Sequence, residues 1–200
     1  GKAFLWTTEK DGWRHVYRIS ADGKSVTLLT PGDYDIIHLK LYDERNNWLY
    51  FTASPYNATQ EYLYRIRPDG KSKAERVSPA GQPGTHGYQI SPNGKYAMHS
   101  FSNHYTKRAT EWVQLPEHAT LPGQTPIPLN IAPPEDDRLS FFQVTTIDGV
   151  TMDGWMQKPV DFDPNKKYPI VFYVYTEPWG ATVKDRYGIS RNHLYEGDMA

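Results

Sequence analysis

The sequence predicts a mainly β chain, in which part of a β-propeller is followed by the first strands of an α/β domain. Three features predict this: a repeat of about 47 residues, a proline-rich segment after it, and a continuous apolar run, Pro169–Tyr175, near the end. Aromatic residues make up 14% of the 200 residues, which favours β-structure. The 16 prolines and 15 glycines are spread along the chain as turn residues.

The composition excludes several classes of protein. Lys and Arg number 22 and Asp and Glu number 23, so the net charge of −1 leaves no basic surface typical of nucleic-acid binding. Cysteine is absent, which excludes disulfides and thiolate metal sites in this segment. No apolar run is long enough to cross a bilayer. We therefore expect no nucleic-acid partner and no membrane span in these residues.

The repeat is clearest where two segments align at an offset of 47 residues. His15–Ser25 reads HVYRISADGKS, and Tyr62–Ser72 reads YLYRIRPDGKS. Tyr96–Ser100 and Glu111–Leu115 belong to a third, weaker copy. A period of 40–50 residues with four short strands in each unit is typical of propeller blades. A β-sandwich with accidental similarity is the alternative, but the length and phase of the match favour a propeller.

The units predict two complete blades and most of a third. The second unit has four predicted strands: Ile37–Leu41, Trp48–Ala53, Tyr62–Arg67 and Ala74–Val77. The first unit lacks its innermost strand, and the third runs from Gly87 to about Leu129. Propellers need at least four blades to close. We therefore expect further blades upstream of this segment.

The pattern changes after a linker. Thr125–Asp137 contains four prolines and ends in the acidic run Glu135-Asp136-Asp137, which predicts an extended, solvated connection. A hairpin is predicted next, with strands Leu139–Thr146 and Thr151–Lys158 around an Asp148-Gly149 turn. Pro169–Tyr175 is apolar on both faces, as expected of a central strand. A hairpin that leads into a buried strand is typical of the start of an α/β-hydrolase sheet.

Two segments resemble the prolyl oligopeptidase clan of serine peptidases, and within it the dipeptidyl peptidase IV family. The first, Trp6–Tyr17, is similar to a late propeller blade of that family. The second runs from Asp161-Phe162-Asp163-Pro164 through Val174-Tyr175-x-x-Pro178 and is similar to the entry into its hydrolase domain. The resemblance implies that residues 1–130 are C-terminal propeller blades. It also implies that residues 131–200 begin an α/β-hydrolase domain and stop before its nucleophile.

The resemblance also implies a function. Members of the family are serine exopeptidases that release N-terminal dipeptides, or in related subfamilies tripeptides, through a Ser-Asp-His triad. It implies peptide substrates with N-terminal Xaa-Pro, no cofactor, and a secreted or periplasmic location. A non-catalytic propeller scaffold, or a catalytically dead relative, is the alternative.

Tyr175 is the single catalytic candidate. In the family, a tyrosine hydroxyl at the end of this strand donates to the oxyanion of the reaction intermediate, and the motif match gives this role to Tyr175. A phenol suits the role because it donates a hydrogen bond without carrying a charge. Thr176 and Glu177 replace the small residues that the family has next in its motif. The alternative is a purely structural role for Tyr175, as an aromatic side chain packed at a strand end.

No nucleophile, acid or base of a triad is predicted here. Ser190 follows Gly188 but has Asn192 where a Gly-x-Ser-x-Gly motif needs glycine, and His193 comes too early for a triad base. No histidines are spaced as metal ligands, so we expect no metal. The six others are predicted to be blade residues: His15, His38, His86, His99, His104 and His118. We therefore expect the isolated chain to be inactive.

Unpaired strand edges predict self-association of the isolated chain. A propeller that is not closed exposes N–H and C=O groups along its outer strands. The sequence is also compatible with a homo-oligomer of the parent protein.

Overall fold

A computed structural model describes residues 2–174 and 181–189. These residues form thirteen β-strands in four antiparallel sheets, with no helix among them. The strands are β1 (Ala3–Thr8), β2 (His15–Ser20), β3 (Val26–Leu28), β4 (Ile36–Asp43), β5 (Trp48–Ala53), β6 (Tyr62–Ile66), β7 (Glu75–Arg76), β8 (Thr85–Ile90), β9 (Tyr96–Ser102), β10 (Ala109–Gln114), β11 (Ala119–Thr120), β12 (Leu139–Thr145) and β13 (Thr151–Gln157).

Three of the sheets are propeller blades. The first blade has three strands in the order β1-β2-β3, the second has β4-β5-β6-β7, and the third has β8-β9-β10-β11. Every neighbouring pair within a blade is antiparallel and consecutive in sequence. The prediction of two complete blades and most of another is therefore confirmed, including the strand missing from the first blade.

The repeated Asp-Gly turns have the conformation that the sequence predicts. Gly70 has φ of +73°, in the left-handed region that glycine adopts at little cost. The Asp69 carboxylate accepts hydrogen bonds from the backbone N–H groups of Lys71 and Ser72, each 2.8 Å long. These bonds lower the pKa of Asp69 to about 2. The turn that joins β6 to β7 is thus fixed by local chemistry.

Apolar side chains fill the spaces between adjacent blades. Val16, Leu49, Phe51 and Ile66 belong to a buried cluster shared by the first and second blades. A second cluster joins the second and third blades; it contains Tyr50, Leu63, Val77, Tyr88, Ala97, Val113 and Leu115. The alternation of side chains along a strand presents one face to each neighbouring blade, so both faces of the second blade are buried.

The predicted hairpin after the linker is confirmed as β12 and β13. Its register runs from Leu139 opposite Gln157 to Thr145 opposite Thr151. Gly154 lies beneath the Phe142 ring, where an added Cβ would be only 2.5 Å from a ring carbon. Glycine at this position therefore lets the Phe142 ring lie flat across the hairpin.

The predicted central strand Pro169–Tyr175 is not observed over residues 169–174. These residues are assigned to no strand, and Phe172 is 82% exposed and Val174 73% exposed. A central strand needs hydrogen-bonding partners on both edges and cover on both faces. None of the strands in the described ranges pairs with this segment. The expectation of a buried strand is therefore wrong for residues 169–174 in this structure.

Residues 2–174 and 181–189 contain no helix that is long and apolar enough to cross a bilayer.

Candidate functional site

The catalytic candidate from the sequence lies outside the described residues. Tyr175 falls in the gap between residues 174 and 181, together with Thr176 and Glu177. Ser190 and His193 lie beyond residue 189. The role of Tyr175 therefore stays a prediction.

A row of polar side chains crosses the third blade on the face toward the second blade. Tyr88 on β8 lies opposite His99 on β9, and His99 lies opposite Glu111 on β10. His86 shares this face because it is two residues before Tyr88. His118, in the turn between β10 and β11, completes the group. We call these five residues the histidine row.

Hydrogen bonds link one end of the histidine row to the backbone. His86 Nε2 lies 2.8 Å from the carbonyl oxygen of Gln82, and His86 Nδ1 lies 2.9 Å from His99 Nε2. His99 Nδ1 lies 3.0 Å from Glu111 Oε1. The other carboxylate oxygen of Glu111 accepts from Thr120 Oγ1 at 2.7 Å. Four side chains on four strands are thereby joined in one chain of contacts.

A second branch connects the histidine row to the second blade. The backbone N–H of Leu63 donates to Ser78 Oγ at 2.8 Å, and Ser78 Oγ lies 2.8 Å from the Tyr88 hydroxyl. That hydroxyl lies 2.8 Å from His118 Nε2. The two blades are therefore held by directional polar contacts as well as by apolar packing.

Burial controls the protonation of the histidine row. His99 is fully buried and His86 is 1% exposed. Loss of water around each ring disfavours the charged form and lowers the pKa of both imidazoles to about 3. Burial also lowers the pKa of His118 and raises that of Tyr88. Burial therefore favours the neutral form of both strand imidazoles.

A second polar group joins the third blade to the linker and to the segment 181–189. His104 Nδ1 lies 2.9 Å from Asp185 Oδ1, and His104 Nε2 lies 2.8 Å from Asp137 Oδ2. Asp185 is 6% exposed and also receives a hydrogen bond from the backbone N–H of His104 at 2.9 Å. Thr85 Oγ1 donates to the Asp185 carbonyl oxygen at 2.8 Å. We call His104, Asp137 and Asp185 the aspartate bridge.

The two carboxylates favour the charged form of His104. Burial alone lowers the pKa of His104, but the hydrogen bonds with Asp185 and Asp137 outweigh this effect and leave its pKa raised. Neither nitrogen has a free lone pair when both donate to carboxylates. His104 is therefore arranged as a structural cation and not as a general base.

A cleft of about 350 Å³ opens beside the aspartate bridge. The linker and the hairpin form most of its walls, and its lining is largely polar; the residues are His104, Tyr105, Pro134, Asp136, Asp137, Arg138, Leu139, Gln157 and Tyr187. The acidic run that the sequence predicted as a solvated linker thus contributes Asp137 to a specific contact. The cleft marks where the propeller meets the rest of the chain.

The sequence placed the six histidines in the blades but did not bring any of them together. The alternation of side chains along a strand predicts that His86 and Tyr88 share a face of the blade. It does not predict which residues of β9 and β10 lie beside them. The pairing of Tyr88 with His99 and of His99 with Glu111 depends on strand register, which spacing alone does not give. Asp185 is 81 residues from His104, and no local signal relates the two.

Propeller blades followed by a proline-rich linker and a hairpin define this chain as part of a β-propeller protein. The sequence model of the dipeptidyl peptidase IV N-terminal region matches residues 1–108. The chain belongs to this family.

Curated relatives extend the similarity past the blades. A probable dipeptidyl-aminopeptidase B of Emericella nidulans is 26% identical over 198 residues, which is 93% of this chain and 21% of the relative. The dipeptidyl peptidase 4 of Trichophyton rubrum is 23% identical over 184 residues, covering 88% of this chain and 23% of the relative. The chain therefore spans about a fifth of the length of these relatives.

One solved structure shows the same fold. The crystal structure of Porphyromonas gingivalis dipeptidyl peptidase 4 superimposes with a TM-score of 0.76 at 23% identity. The match covers 92% of this chain and 26% of that protein. The arrangement of blades, linker and hairpin is therefore one that occurs in a solved member of the family.

Proposed function

We propose that this chain is part of a serine exopeptidase that releases N-terminal dipeptides from peptides. The observation that carries the proposal is the continuous similarity, over 93% of the chain, to relatives named dipeptidyl-aminopeptidases. That similarity runs through the blades, the linker and the hairpin. The chain would thus supply late propeller blades and the entry to the peptidase domain, residues 131–200.

The catalytic contribution of this segment would be Tyr175. Its phenol would donate a hydrogen bond to the oxyanion that forms when a serine attacks the scissile carbonyl. The serine, the aspartate and the histidine of the triad would lie after residue 200. Residues 1–130 would restrict access to the active site to short peptides. Peptides with N-terminal Xaa-Pro would be the preferred substrates, as the family resemblance implies.

The cellular location of the parent protein belongs to the same proposal. We place the parent protein in the periplasm or outside the cell, as the family resemblance implies. The absence of cysteine from these 200 residues is compatible with either compartment.

The test uses the full-length protein that contains this chain. Gly-Pro and Gly-Ala p-nitroanilides separate dipeptidyl peptidase activity from proline preference, and blocking of the free amino terminus should abolish both reactions. Tyr175→Phe removes only the hydroxyl and should lower kcat about 10²–10³-fold with little change in KM. Tyr96→Phe, a matched change on β9 where the ring is 42% exposed, should leave both constants unchanged.

Three results would contradict the proposal. Unchanged kcat in Tyr175→Phe would remove that residue from the oxyanion site. Cleavage by the isolated 200-residue chain would show that the triad is not needed. A full-length protein without a Gly-x-Ser-x-Gly motif and without cleavage would favour the binding scaffold.

A further inference from the structure

The three contacts that run from Gln82 to Glu111 need three hydrogens, and two neutral imidazoles supply only two. The Gln82 carbonyl oxygen only accepts, so the hydrogen of His86 lies on Nε2. His86 Nδ1 then accepts from His99 Nε2. His99 Nδ1 lies 3.0 Å from Glu111 Oε1, and this contact is completed either by a third proton or by a bound cation.

A third donor lies beside this pair. Donor atoms of His99, Glu111 and His118 all lie within 4.8 Å of one another. His118 has φ of +57°, a left-handed conformation that is uncommon for a residue other than glycine. The His118 imidazole lies edge to face with the His99 ring, and the two ring centres are 4.6 Å apart. A proton between His99 and Glu111 needs no third donor, whereas a metal ion does.

Each of the three donors is also oriented by a partner behind it. His86 holds the far nitrogen of His99, and Thr120 holds the second oxygen of Glu111. The Tyr88 hydroxyl contacts His118 Nε2 at 2.8 Å. Metal ligands in proteins are characteristically fixed by such outer hydrogen bonds.

We propose that His99, Glu111 and His118 bind one divalent transition-metal ion, with Zn²⁺ preferred. Two imidazoles and one carboxylate form a donor set that suits this ion. Rotation of the side chains would bring the donors to about 3.3 Å from one another, the separation of ligands in a tetrahedral zinc site. The sequence analysis predicted no metal, because the three proposed ligands come from β9, β10 and a turn. Their spacing along the chain matches no known metal-binding motif.

The role of this ion would be structural. Its ligands connect the two central strands of the third blade with the turn before β11, on the face that packs against the second blade. His99 is fully buried and Glu111 is 3% exposed. The site goes beyond the peptidase chemistry proposed above and does not depend on it.

The test measures Zn²⁺ binding to the full-length protein after treatment with a chelator. Equilibrium dialysis should show one Zn²⁺ ion bound per chain. His118→Ala should lower the affinity for Zn²⁺ at least 100-fold. His38→Ala is the control and should keep the ion, because the imidazole of His38 lies exposed on β4. Co²⁺ in place of Zn²⁺ should give the visible absorption of a tetrahedral site, and His118→Ala should abolish it.

Glu111→Gln separates a metal from a proton. The amide N–H of this variant donates to His99 Nδ1, so the contacts are completed without a cation. We expect the variant to fold, to bind no ion at this site, and to lose the increase in Tm that Zn²⁺ gives the unsubstituted protein. Equal Zn²⁺ binding in all variants, or no binding by the unsubstituted protein at micromolar Zn²⁺, would overturn the proposal and leave a proton between His99 and Glu111.

Discussion

The imidazole of His104 and the carboxylate of Asp185 lie 2.9 Å apart although 81 residues separate them in the chain. This contact fixes the segment 181–189 against the end of β9. Asp137 contacts the other nitrogen of the same ring, so one histidine joins three parts of the chain. The arrangement makes the stability of this junction depend on pH.

His104→Gln should destabilise the protein more at pH 6 than at pH 8.5. The pKa of His104 is raised in the folded state, so the folded protein binds the proton more tightly than the unfolded chain does. This contribution is fully present below the unfolded pKa of about 6.5 and is lost as the pH rises through the folded pKa. At pH 6 we expect His104→Gln to lower the free energy of unfolding by about 2 kcal/mol. Urea denaturation at the two pH values measures it.

The Asp185→Asn substitution supplies the control for this prediction. A double-mutant cycle with His104→Gln should give a coupling energy at pH 6 that falls toward zero at pH 8.5. A coupling energy that is independent of pH would mean that His104 is neutral in the folded protein.

Phe51→Ala should cost about 3–5 kcal/mol of unfolding free energy. The Phe51 ring is fully buried between the first and second blades and lies near the rings of Tyr34 and Tyr64. Tyr56→Ala is the matched control because that ring is 94% exposed, and its cost should stay within about 0.5 kcal/mol. Urea denaturation followed by tryptophan fluorescence compares the two. Equal losses would contradict the packing between these blades.

Gly84→Ala should destabilise the protein more than Gly123→Ala does. Both glycines have positive φ, +149° and +79°, so both variants introduce backbone strain. An added Cβ at Gly84 would be 2.6 Å from the backbone oxygen of Ser102, whereas nothing lies within 4 Å of one at Gly123. The strain alone costs about 1–2 kcal/mol, and the clash adds to it only at Gly84. Equal decreases in Tm would show that the chain before β8 can move away from Ser102.

Trp6→Lys should weaken self-association of the isolated 200-residue chain. β1 is the edge of its sheet, and Trp6 on this strand is 56% exposed. A charged side chain on an edge strand opposes pairing with a second copy. Light scattering over a range of concentrations should show association that Trp6→Lys reduces. Trp13→Lys changes an exposed turn residue and should not reduce the association. A monomeric unsubstituted chain at high concentration would contradict the prediction.

The sequence by itself determined the strands of the blades and their turns. Alternating apolar residues and Asp-Gly pairs act within a few residues, so β5 and β6 begin where the repeat predicts. The same local rules gave the hairpin of β12 and β13. They failed for residues 169–174, because an apolar run becomes a central strand only when partner strands pair with it.

Tertiary structure alone decided which polar residues meet. Strand register placed Tyr88, His99 and Glu111 side by side, and a shift of one residue would have turned the row to the other face of the blade. Folding of the linker and of segment 181–189 onto the third blade brought Asp137 and Asp185 to His104. Contacts between residues distant in sequence depend on the summed geometry of many strands and turns, and no short pattern in the chain encodes that sum.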